Sequence, residues 1–177
     1  MAQVCDCVVT PLSRGARNPP HSQRSICCGL KVMSLRRIRV PSSTQMNTVL
    51  DEAKTLAADV ANAAAKADGV DVAVCVPFPF LVPVGEVLKG SKVSVGAQDC
   101  YYEDAGAYTA AVSTSMLKSV GAQYVLSGHS ERRATFGDSD ADVNKKTLKI
   151  LSEGLKCILC IGEFWPDGTA RAKIWLA

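Results

Sequence analysis

Three features of this 177-residue sequence predict an α/β fold built on a parallel sheet. Short Val- and Ala-rich runs recur along the chain, as in strands buried on both faces. Between them lie stretches whose apolar residues fall at three- and four-residue steps, the period of a helix face. Glycines and capping residues sit at the junctions, so the two kinds of segment alternate strand, helix, strand.

The elements follow in order. Val49, Leu50, Ala53, Leu56, Ala57, Val60, Ala61 and Ala64 define one helix face, with Thr48 and Asp51 as a capping box and Gly69 as the stop. Val70 to Pro77 reads as a buried strand, followed by a short helix through Val84, Val87 and Leu88 that ends at Gly90. Lys92 to Gln98 is the next strand, Val112 to Val120 a helix, and Gln123 to Ser127 another strand. Ser139 and Asp142 cap a helix whose inward face holds Val143, Thr147, Ile150 and Leu151, with Gly154 after it. Lys156 to Ile161 is the last strand. Right-handed β-α-β units of this kind build either a β/α barrel or an open doubly wound sheet.

Composition excludes some functions. At 47% hydrophobic residues the chain can bury a core, yet no apolar run reaches the roughly 18 residues that span a membrane. The net charge of +3 conceals an asymmetry: residues 1–45 carry Arg14, Arg17, Arg24, Lys31, Arg36, Arg37 and Arg39 against Asp6, and the rest is mildly acidic. This basic stretch is a disordered or unrelated leader, or a transit-like segment that would direct the chain to a plastid instead of the cytoplasm. It lacks the aromatic residues of a nucleic-acid surface and is set aside from the fold. There is neither a G-x-G-x-x-G nor a P-loop motif, so nucleotide binding has no support. Cys157 and Cys160 have C-x-x-C spacing, which raises redox or zinc chemistry, but no second ligand pair follows and the intervening residues suit a strand.

In either α/β architecture chemistry gathers beyond the C-terminal ends of the strands. Those positions hold Gln98-Asp99-Cys100, Gly128-His129-Ser130-Glu131 and Gly162-Glu163. His129 precedes a candidate short helix, where the dipole favours a neutral ring able to donate a hydrogen bond. Glu131 is placed to orient a neighbouring cation.

Val125 through Arg133, the run VLSGHSERR, resembles the histidine signature of the triosephosphate isomerases. Val95-Gly96-Ala97-Gln98-Asp99 and Glu103 through Thr109 are similar to that family's third strand and interface loop, and Met116-Leu117-Lys118, Leu151 through Leu155 and Cys160-Ile161-Gly162-Glu163 follow in the same order. The likeness runs from about Met46 to Glu163. It implies a (β/α)8 barrel, here incomplete, in which the second to fifth strands are present. It also implies interconversion of glyceraldehyde 3-phosphate and dihydroxyacetone phosphate through an enediol(ate), in glycolysis and gluconeogenesis. These enzymes are themselves the standard illustration of a glutamate base paired with a neutral histidine under a lid loop.

On this resemblance His129 is the electrophile, Glu131 the carboxylate supporting a catalytic lysine, and Cys160 the buried cysteine beside the base. The substrate is a small phosphorylated triose; no cofactor, metal, nucleic acid or membrane is implied. Tyr101, Tyr102 and Thr109 lie on the arm that forms the family's homodimer, but Ala110-Ala111 replaces its usual Gly-Glu. Ser43 and Gln45 stand where the family has its substrate-binding Asn and Lys, and a neutral amide supplies no positive charge for the developing oxyanion. The base, lid and phosphate loops have no counterpart after Glu163, where residues 164–177 read as a tail foreign to the family; a whole barrel takes about 250 residues. The expectation is a cytoplasmic, truncated family member, inactive alone, with an uncovered edge on its last strand. The alternative is a non-enzymatic βα fragment that associates with intact isomerase subunits.

Overall fold

The computed structural model describes residues 37–39, 46–66, 69–164 and 170–176. Strands β1 (Arg37–Arg39), β2 (Val70–Val76), β3 (Val93–Ala97), β4 (Tyr124–Ser127) and β5 (Lys156–Phe164) lie side by side in sequence order, every neighbouring pair parallel. Helices α1 (Leu50–Ala65), α2 (Leu81–Leu88), α3 (Thr114–Ser119), α4 (Ser130–Phe136) and α5 (Asp140–Ser152) fall between them, with a 3₁₀ turn at Phe78–Phe80 leading into α2.

Which residues share a core decides between the two architectures that the alternation allows. Val72, Val74 and Val76 of β2 pack with Ala53 and Ala57 of α1, Leu81 and Val84 of α2, Leu117 of α3 and Ile150 of α5. The alternate strand residues Ala73, Cys75, Tyr124 and Ile158 form a second cluster built from strands, with Leu126 packed against it. Side chains alternate across a strand, so these are opposite faces of the sheet. Among the described residues the helices contributing to the core lie on one face, whereas a doubly wound sheet carries them on both. The sheet is a curled parallel segment of a β/α barrel. Its inner face is tightly filled: a Cβ on Gly96 would stand 2.6 Å from Cys75 Sγ and 3.2 Å from Tyr124 Cβ, so the strand needs glycine there.

Several local expectations shift. The cap of α1 is Val49, not Thr48: Glu52 accepts the Val49 N–H at 3.1 Å, while the Thr48 hydroxyl has no partner among the described residues. Glutamate is long enough to reach back to the cap N–H, as in the usual capping box. Helix α3 is shorter than expected because Ser113 caps it, accepting from the Met116 N–H at 3.3 Å. The Ser139–Asp142 box forms as expected on α5. Leu151 is exposed rather than inward, and the buried face of α5 is Val143, Lys146 and Ile150.

The ends of the chain bring two further differences. Arg37–Arg39, within the stretch assigned to a leader, pairs in parallel with Val70–Val72. A sixth strand, β6 (Ala170–Leu176), pairs antiparallel with β5 from Ile158↔Leu176 to Phe164↔Ala170. The expected bare edge on β5 is therefore covered by the chain itself, because an antiparallel neighbour needs no helical crossover.

Candidate functional site at the strand ends

Gly128 ends β4 with a positive φ of 74°, which turns the chain into α4. The site has no room for a side chain, since a Cβ would lie 2.9 Å from Val143 Cγ1 and 3.1 Å from the Cys160 carbonyl oxygen. This turn presents His129 as the N-cap of α4, where its Nδ1 accepts the Glu131 N–H at 3.3 Å. A ring nitrogen that accepts carries no proton, so the imidazole proton sits on Nε2 and is available to donate. Nδ1 also stands 3.6 Å from Glu131 Oε2, too far for a hydrogen bond. His129 and Glu131 are thus together at one strand end, both partly open to solvent.

Cys160 lies on β5 and is buried, two residues beyond Ile158 and hence on the inner face. Cys157 belongs to the core between sheet and helices. Three residues apart on a strand, the two thiols face opposite ways and cannot bind one metal or form a disulfide. Burial pushes the Cys157 thiol up to about 11, and burial followed by the nearby Cys160 pushes Cys75 up to about 12. The C-x-x-C redox and zinc reading is overturned, and no cluster of three or more potential metal ligands occurs among the described residues.

Ser43 and Gln45 fall outside the described residues, as does nearly all of the basic leader. On the arm, Tyr101 stacks on Tyr102 with ring centroids 4.3 Å apart, and the Tyr101 hydroxyl donates to that of Tyr102 at 3.2 Å. Thr109 is exposed beside Ala110.

Arg132, on the helix that His129 caps, belongs to an ion-pair ring. Lys146 Nζ, with its side chain 4% exposed, reaches Asp99 Oδ1 at 2.8 Å and Asp138 Oδ2 at 2.7 Å. Arg132 Nη2 closes the ring on Asp99 Oδ2 and Asp138 Oδ1, each at 3.2 Å. Burial acts against the Lys146 charge, but the two carboxylates outweigh it and hold its pKa above the ordinary lysine value. Burial would likewise raise Asp138, yet the Lys146 and Arg132 hydrogen bonds keep its carboxyl below the ordinary range. A cavity of about 440 Å³ opens beside the ring, lined among others by Asp99, Tyr101, Arg132 and Phe136. His129 is not one of its walls, so the cavity is not where a substrate of His129 would sit. A lysine amid the apolar stripe of α5 was the one signal of this ring in the sequence.

A curled parallel sheet with helices outside and polar residues at the C-terminal strand ends defines part of a β/α-barrel protein. The family model described as triosephosphate isomerase matches residues 40–174, and the chain belongs to that family. It is 46% identical over 132 residues to the triosephosphate isomerase of Chlorobium luteolum, which spans 73% of this chain and 52% of that protein. To the triosephosphate isomerase of Carboxydothermus hydrogenoformans it is 52% identical over 95 residues, or 54% of this chain and 38% of that one. The crystal structure of triosephosphate isomerase from Bartonella henselae superposes with a TM-score of 0.59 at 32% identity, covering 67% of this chain and 49% of that one. The chain spans about half the length of most of the curated relatives it matches.

Proposed function

We propose that this chain carries the histidine half of a triosephosphate isomerase active site. The reaction is interconversion of glyceraldehyde 3-phosphate and dihydroxyacetone phosphate through an enediol(ate), in glycolysis and gluconeogenesis. The observation that carries the reading is His129 at the end of β4, its Nδ1 occupied as an acceptor and its Nε2–H left to polarise a substrate oxygen. Glu131 supports the cation of the substrate site, and Cys160 packs beside the base. These 177 residues do not turn over substrate by themselves: Gln45 stands in the lysine position, and base, lid and phosphate loops must come from further chain or from a partner. No helix is long and apolar enough to cross a membrane among the described residues, and Cys100 and Cys157 are buried thiols outside any disulfide. That usage fits a reducing compartment such as the cytoplasm.

A chimera tests the assignment. Val93 to Ile161 of this chain would replace the corresponding segment of the Chlorobium luteolum relative. Turnover is expected, with a loss of at least about a hundredfold on His129→Ala, the scale of one electrophilic or acid–base group. A folded chimera without turnover overturns the reading.

A second reading, a non-enzymatic partner of intact isomerase subunits, is favoured by Tyr108, Met116 and Phe136, large apolar side chains left 44%, 55% and 66% exposed on or near the arm. The same arm would serve a homodimer. Pull-down against an intact relative decides it, and absence of association at micromolar concentration ends it.

A further inference from the structure

Helix α4 is seven residues long and buries none of them. A helix this short is marginal unless tertiary contacts hold it, and here none of its side chains enters the apolar core. What holds α4 is ionic and polar. Arg133 Nε donates to the Gly128 carbonyl at 2.9 Å, and Arg133 pairs with Asp140. Arg132 grips Asp138 and Asp99, its guanidinium lying 4.4 Å over the Phe136 ring. Behind both carboxylates stands Lys146, on a different helix.

We infer that Lys146 is a positioning residue for His129, acting through Asp99, Asp138 and Arg132 to fix the helix that His129 caps. Asp99 follows β3 and Asp138 follows α4, so the lysine ties the end of the third strand to the far end of the histidine helix. With Lys146 removed, two carboxylates lie on one guanidinium, and Arg132 must choose between them or shift. Either response moves α4 relative to β3. The turn at Gly128, which is pinned from the other side by Arg133, then carries the displacement to the imidazole. The inference concerns the geometry of His129. It bears on catalysis through the function proposed above, but it is tested without turnover.

The test is nitrogen NMR of the ring on ¹⁵N-histidine-labelled full chain, in a His21→Gln background so that one histidine reports. In the parent, His129 should show a single tautomer with an unprotonated, hydrogen-bonded Nδ1. In Lys146→Met the Nδ1 and Nε2 resonances should move toward each other as the tautomers begin to exchange. Lys149→Met is the control. Lys149 also lies on α5 and is ion-paired, with Asp104 at 2.6 Å and Glu153 at 2.9 Å, but it makes no contact with α4 among its ion pairs. Its loss should lower stability and leave the His129 spectrum unchanged. If Lys146→Met does not fold, Asp99→Asn keeps the side-chain shape, removes one charge and is read in the same way. A folded Lys146→Met or Asp99→Asn protein with an unaltered His129 spectrum overturns the inference. So does an equal response to Lys149→Met, because both results make the ring a structural strut with no hold on the histidine.

Discussion

Arg133 donates its Nε–H to the carbonyl of Gly128 at 2.9 Å, so the residue before the histidine is anchored by the helix that follows it. The closed loop works only because Gly128 adopts a φ of 74° with Val143 packed against its bare Cα. Gly128→Ala meets two penalties at once, a left-handed backbone and a Cβ 2.9 Å from Val143 Cγ1. It should cost about 2 kcal/mol or more in chemical denaturation. A change below a few tenths would show that the turn relaxes freely.

The arm carries the opposite situation. Ala110 is the one non-glycine residue with positive φ among the described residues, at 71°, at a position where the family usually has glycine. Ala110→Gly relieves left-handed strain of about 1–2 kcal/mol and returns part of it as unfolded-state entropy. A net gain of about 0.5–1 kcal/mol is expected, read as a higher denaturation midpoint at unchanged slope.

The ion-pair ring sets a pH signature. The Asp138 carboxyl is held below its ordinary value in the fold, so its contribution is complete above the unfolded carboxylate range and is lost as pH falls through the lowered value. Lys146 is held above its ordinary value, so its contribution is complete below the unfolded lysine value and fades only as pH rises through the folded one. Stability should therefore be flat through neutral pH and fall on the acid side below about pH 4. Asp138→Asn should lower the plateau and flatten that acid limb; an acid limb of unchanged steepness would contradict the assignment.

The buried thiols should be inert. Burial takes Cys75 and Cys100 up to about 12 and Cys157 up to about 11, leaving almost no thiolate at neutral pH. Alkylation mapped by mass spectrometry should label these three at rates limited by unfolding, and labelling at the rate of an exposed peptide thiol would refute the burial.

Much of this was legible in the sequence because it is local. Strand ends, the Ser139–Asp142 box and the β4–His129 junction follow from period, caps and glycines within a few residues of each other. One exception depends on a distant partner. Lys146 looks like an interruption of an apolar helix face until Asp99, 47 positions away, is brought to it. The antiparallel pairing of β6 on β5 was within reach of the sequence, because Pro166-Asp167-Gly168 between the two runs is a turn signature. The choice of Val49 over Thr48 was not legible, since Thr48 with Asp51 has the same pattern as the Ser139–Asp142 box that does form. The geometry of His129 itself was anticipated by its place before a short helix, while what steadies that helix was not.

If an ordered His129 end of the site is not enough for turnover in these 177 residues, a coupled assay with glyceraldehyde 3-phosphate will show it. The purified chain should show no isomerisation above the buffer rate, and His129→Ala should leave that background unchanged. Turnover near that of a complete relative, abolished by His129→Ala, would contradict the account.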